Sequence, residues 1–95
     1  MLIINNNYRA ALINDVLMAG SQEEVRLLID TTIAFLEINK INGYIIGQFI
    51  HDSTVDLEKF NPETRTSQQW SNIKMAMIHL RKVMLKFEIE TYYKN

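Results

Sequence analysis

Four stretches of the chain repeat apolar residues with a helical period, and the last is the longest. From Trp70 the apolar positions Trp70, Ile73, Met77, Leu80, Met84 and Phe87 are separated by alternating steps of three and four residues. That is the spacing of a heptad seam, and on a helix it forms one stripe. Ala76 and Val83 widen the stripe on one flank, as suits a packed bundle rather than a two-stranded coil. The pattern predicts a helix from Thr66 to Tyr93. Pro62 stands ahead of its start, and Thr66 or Ser67 can cap its first turn. Ile78, Leu85, Ile89 and Tyr92 fall together on another side of the same helix. Either the helix touches neighbours on two sides, or this second stripe is a surface for another chain. A helix this long, roughly 40 Å at ~1.5 Å per residue, should outrun its neighbours. An apolar strip on an overhanging end usually marks a partner.

The other three periodic stretches are shorter. Tyr8 to Ala19 reads as a first helix, with Tyr8, Ala11, Leu12, Val16 and Ala19 on one face and Ile13 and Leu17 on another. Gly20 offers a stop in left-handed geometry. Ser21-Gln22-Glu23-Glu24 has the serine-to-glutamate spacing of a capping box and starts a second helix, from about Gln22 to Asn39. Its main stripe is Val25, Leu28, Ile29, Thr32, Ile33, Phe35 and Leu36. Leu27, Ala34 and Ile38 make a minor stripe opposite. Asn42-Gly43 is a turn signal. Tyr44 to Ile50 favours a strand by propensity, but Ile45, Ile46, Phe49, Ile50, Ser53, Leu57 and Phe60 share one side of a helical wheel. The longer period decides for a third helix, Tyr44 to Phe60, with a break near Ser53 allowed by its spacing to Asp56. Gly47 weakens that helix unless it permits a close crossing. The expected fold is therefore all-α: one domain, a small four-helix bundle with a long C-terminal amphipathic helix.

Composition sharpens this picture by exclusion. With 95 residues, 47% of them hydrophobic and 22% charged, the chain can build one modest core. It has no cysteine, which removes disulfides, thiolate metal sites and cysteine nucleophiles. The opening residues, Met1 to Asn7, have no basic segment and too short an apolar run for a signal peptide. No stretch is long enough to span a bilayer, so a membrane role is not expected. The cytoplasm is the expected compartment. Isoleucine, asparagine and lysine are plentiful beside 3 glycines and 1 proline. That bias accompanies AT-rich coding DNA and points towards a bacterium or its phages.

Net charge is −1 overall but unevenly spread. Residues 1–65 carry five basic and nine acidic groups, and the remainder five basic and two acidic. A basic helix lying beside acidic ones accounts for this. A face for an anion or nucleic acid would also do so, with Lys74, Arg81, Lys82 and Lys86 as the contacts.

Catalytic patterns are scarce. His51-Asp52 is the pair with which metal-dependent HD phosphohydrolases hold a metal, but those enzymes need further histidines and acids, and His79 is the one other histidine here. There is no Glu-x-x-His pair for a di-iron bundle, no Gly-x-Ser-x-Gly elbow and no phosphate-cradling glycine loop. Met75, Met77 and Met84 fit core filling better than a peptide groove. The sequence therefore predicts no enzyme, no cofactor and no metal. It predicts a regulatory protein-interaction module that self-associates as a dimer through Ile78, Leu85, Ile89 and Tyr92, or that holds a different protein there. The alternative is a nucleic-acid-binding regulator using the basic face of the last helix.

Overall fold

The computed structural model describes residues 4–93, with side chains described as far as Phe87. Four α-helices, α1 (Asn6–Met18), α2 (Gln22–Ile38), α3 (Gly43–Glu58) and α4 (Ser67–Tyr93), are joined by short connections, one of them holding a 3₁₀ turn, Pro62–Thr64. No strand occurs among the described residues. The all-α bundle is thus the fold, and α4 is far longer than its companions. The β-favouring run Tyr44 to Ile50 lies inside α3, because its apolar positions serve one buried face. Neither is α3 broken at Ser53, which is fully buried within the helix.

Each helix start is closed by a side chain that its sequence supplies. Asn5 Oδ1 accepts the Tyr8 amide at 3.0 Å, Ser21 Oγ the Glu24 amide at 3.1 Å, and Asn42 Oδ1 the Tyr44 amide at 2.7 Å. Thr66 and Gln69 form a reciprocal box at the start of α4. Thr66 Oγ1 accepts the Gln69 amide at 3.1 Å, and Gln69 Oε1 accepts the Thr66 amide at 3.3 Å. At Ser21 the box is shifted by one residue, since Glu24 Oε2 takes the amide of Gly20 at 2.6 Å.

The helix ends depart from expectation. No glycine has positive φ among the described residues, so Gly20 is not a left-handed stop. Instead α1 leaves the helix at an extended Ala19, and its last carbonyls are met by Asn72 of α4. Asn72 is 0% exposed, and its Nδ2 donates to Val16 O at 3.0 Å and to Ala19 O at 2.8 Å. The end of α2 is a Schellman motif. Ile41 N–H donates to Leu36 O at 3.1 Å, and Lys40 N–H donates to Glu37 O at 2.9 Å. The left-handed residue is Lys40, with φ 58°, where glycine would be unstrained.

The core lies around α4, which packs against all three other helices. Ile73, Ala76, Leu80 and Phe87 from the heptad stripe are buried, together with Leu12, Val16, Val25, Ile29, Ile33, Leu36, Ile46, Phe49, Ile50 and Leu57. On α1 the buried flank runs through Ile13, while Ala11 is exposed. On α2 and α3, Phe35 and Ile45 lie at the edge of their stripes and are about half exposed.

The order of helices around the bundle is not the order along the chain. α2 packs beside α4 and α1 beside α3, whereas α2 and α3 scarcely touch. Going round the bundle the sequence is therefore α1, α2, α4, α3, and the connection from Asn39 to Asn42 crosses one end. Three contacts fix the relation of α2 to α4. They are Gln22 to Ser71, Arg26 to Met75 and Asp30 to His79, each pair 49 residues apart. A constant offset means that the two helices run parallel and in step. Ile38, the last residue of α2, stands level with Phe87, and α4 continues beyond it. α1 and α3 are also parallel, since their starts flank one groove. Tyr8 stacks obliquely on Phe49 with ring centroids 5.6 Å apart, and Arg9 Nε donates to Asp56 Oδ2 at 2.5 Å.

Candidate interaction face on the last helix

Ile73, Leu80 and Phe87 anchor α4 in the core, and the opposite arc of the helix is left to solvent. On that arc Ile78 is 51% exposed and Leu85 52% exposed, seven residues apart and therefore nearly superposed along the axis. They are not core side chains. Ile89 and Tyr92, the other members of the stripe, lie outside the residues whose side chains are described.

The four cations singled out in the sequence belong to the same arc. Lys74, Arg81, Lys82 and Lys86 are all exposed. At 100° per residue, Lys74 and Arg81 fall on one flank of the Ile78–Leu85 line, and Lys82 and Lys86 on the other. None of them makes an ion pair among the described residues. The ion pairs there are Arg9 with Asp52 and Asp56 and Arg26 with Glu23, and His79 Nε2 lies 2.7 Å from Asp30 Oδ1. From Ser67 to Phe87 α4 carries no acidic residue. The apolar stripe and the basic face are thus one surface, apolar along its centre and positive along both margins.

That surface continues into an open groove of about 200 Å³ between α3 and α4, lined by Ile50, His51, Thr54, Leu80, Arg81, Met84 and Leu85. Gly47 crosses α4 nearby, but the crossing is not tight. A methyl group on Gly47 would meet Met84 Sδ at 3.9 Å, an ordinary contact. A second open groove, about 280 Å³, runs between the starts of α1 and α3, past Arg9, Tyr44 and Asp52.

His51 and Asp52, adjacent in sequence, point to different structures. His51 lines the α3–α4 groove, while Asp52 sits 3.8 Å from Arg9 and accepts Gln48 Nε2 at 3.0 Å. No group of three or more histidine, aspartate or glutamate residues gathers as a metal site among the described residues. No described helix is long and apolar enough to cross a membrane.

A second surface emerges on α2. Its minor stripe is solvent-facing, with Leu27 65% and Ile38 77% exposed and Ala34 exposed between them. Four acidic residues, Glu23, Glu24, Asp30 and Glu37, accompany it on the helix. The chain matches no known protein family, and comparison with characterised proteins and with solved structures finds no relative.

Proposed function

We propose that this protein is a small cytoplasmic interaction module, without catalytic activity of its own, that self-associates through the exposed arc of α4. One observation carries the reading. Two large aliphatic side chains, Ile78 and Leu85, stand half in solvent on the longest helix, in line and bordered by charge. Apolar side chains aligned at the centre of a polar rim are the usual form of a protein-binding surface. Half exposed on the side away from the core, these two contribute little to the fold. Replacing both with glutamate leaves the core intact and places two like charges in any interface formed there. The Ile78→Glu/Leu85→Glu protein should keep its helical circular dichroism and its melting temperature within a few degrees, and should migrate as a smaller species than the parent. Unfolding of this variant would show the strip to be core and would end the proposal.

The four exposed cations on an acid-free segment support a second reading, a regulator that binds nucleic acid through α4. Phosphate contacts release counterions, so such binding would weaken steeply with salt. Fluorescence anisotropy of labelled single- and double-stranded oligonucleotides at low salt tests it. Absence of binding there would dismiss it.

A further inference from the structure

We propose that the occupant of the α4 arc is the outer face of α2 in a second copy of the chain, so that the dimer contains two α4–α2 contacts related by a two-fold axis parallel to the helices. This rests on the self-association reading above and names the surface that completes it.

Charge argues first. If two α4 arcs met each other, Lys74, Arg81, Lys82 and Lys86 of each would border the same apolar strip, and like charges would face one another across it. The outer face of α2 is the complement: apolar at Leu27, Ala34 and Ile38, and acidic at its margins. Both strips repeat at heptad spacing.

Register argues second. α2 and α4 lie side by side, parallel and in step at an offset of 49 residues. A two-fold axis parallel to them preserves height. It lays each α2 over the partner's α4 at the same offset, and it closes the dimer with a self-complementary surface. Leu27 then stands at the height of Ala76, Ala34 at that of Val83, and Ile38 at that of Phe87. Ile78 and Leu85 fall between these heights, so the two strips interleave rather than collide. Glu37 stands at the height of Lys86, and Lys82 falls between the heights of Asp30 and Glu37. The offset that sets Asp30 against His79 within the protomer thus brings the apolar and the charged residues of the two protomers to matching heights.

The test uses two charge-reversed proteins made on exposed positions, Lys82→Glu/Lys86→Glu and Asp30→Lys/Glu37→Lys, with molar mass read by light scattering after size exclusion. The proposal expects the wild type to be a dimer whose dissociation constant rises about tenfold between low and high ionic strength. Each variant alone should be a folded monomer by circular dichroism, and an equimolar mixture of the two should recover the dimer. If Asp30→Lys/Glu37→Lys alone remains a dimer while Ile78→Glu/Leu85→Glu is monomeric, self-association through α4 stands and its pairing with α2 is overturned. If the wild type is monomeric at all accessible concentrations, both readings fall. A mixture that stays monomeric also overturns the α2 pairing.

Discussion

Asn72 joins two helices through one amide, and the consequence of removing it can be worked out. Its side chain is fully buried. It donates to two carbonyls at the end of α1 and accepts Gln68 Nε2 at 2.9 Å. Truncation to alanine deletes two hydrogen bonds to the backbone, each with a net value of about 1 kcal/mol. It also leaves the Ala19 carbonyl buried without the 2.8 Å donor it had. The Val16 carbonyl suffers less, because it also accepts the Ala19 amide at 3.2 Å. One poorly satisfied buried carbonyl and the small cavity left by the amide add about another 1–2 kcal/mol. The expected total is about 3–4 kcal/mol, against a stability of roughly 5–15 kcal/mol for a domain of this size. Urea denaturation followed at 222 nm would show the midpoint falling with an unchanged slope. In thermal melts each kcal/mol is worth roughly 4–8 °C. Asn72→Asp, which keeps the shape but turns an oxygen towards both carbonyls, should be at least as damaging as the alanine variant. A loss below about 1 kcal/mol for Asn72→Ala, or a well-tolerated aspartate, would refute the claim that this amide caps α1.

Three further outcomes follow from the same structure. Lys40→Gly relieves the left-handed backbone at the end of α2 and should stabilise the protein by about 1 kcal/mol in the same urea titration, whereas Lys40→Ala should not. Gly47→Ala adds helix propensity without a clash, so it should also stabilise by up to about 1 kcal/mol; destabilisation would mean that the α3–α4 crossing is tighter than its 3.9 Å clearance. Burial pushes the Tyr8 phenol above its ordinary value, so the unfolded chain releases that proton first as pH rises. Tyr8 therefore favours folding below the ordinary tyrosine range, and that contribution is lost as pH climbs through it. Tyr8→Phe should flatten the alkaline end of a stability-against-pH curve, and an unchanged curve would contradict this.

Periodicity made most of the fold legible, because burial here follows the helical period. The α4 stripe, the capped start at Ser21 and the choice of helix over strand at Tyr44 to Ile50 could all be read from spacing. What escaped was set by contacts distant in sequence. Gly20 looked like the end of α1, but the carbonyls are satisfied by Asn72, more than fifty positions away. A trace of this was present, since Asn72 lies one turn before Ala76 on the flank that widens the core stripe. Lys40 gives no sign of its left-handed backbone, which goes with the Schellman closure of Ile41 N–H on Leu36 O. The parallel pairing of α2 with α4 is equally silent in the sequence, because loop lengths permit more than one order of helices. For the candidate site, spacing separated the Ile78–Leu85 stripe from the basic residues as two ideas. Three dimensions merge them into one face, and show that the minor stripe of α2 is exposed rather than packed.

The most direct test of this account is the solution molar mass of the wild-type protein beside that of Leu85→Glu, both checked for helicity. A wild-type dimer of about twice the 11.1 kDa chain mass, with a folded monomeric variant, is the result expected of a protein that associates through α4. Equal masses for the two folded proteins would contradict it.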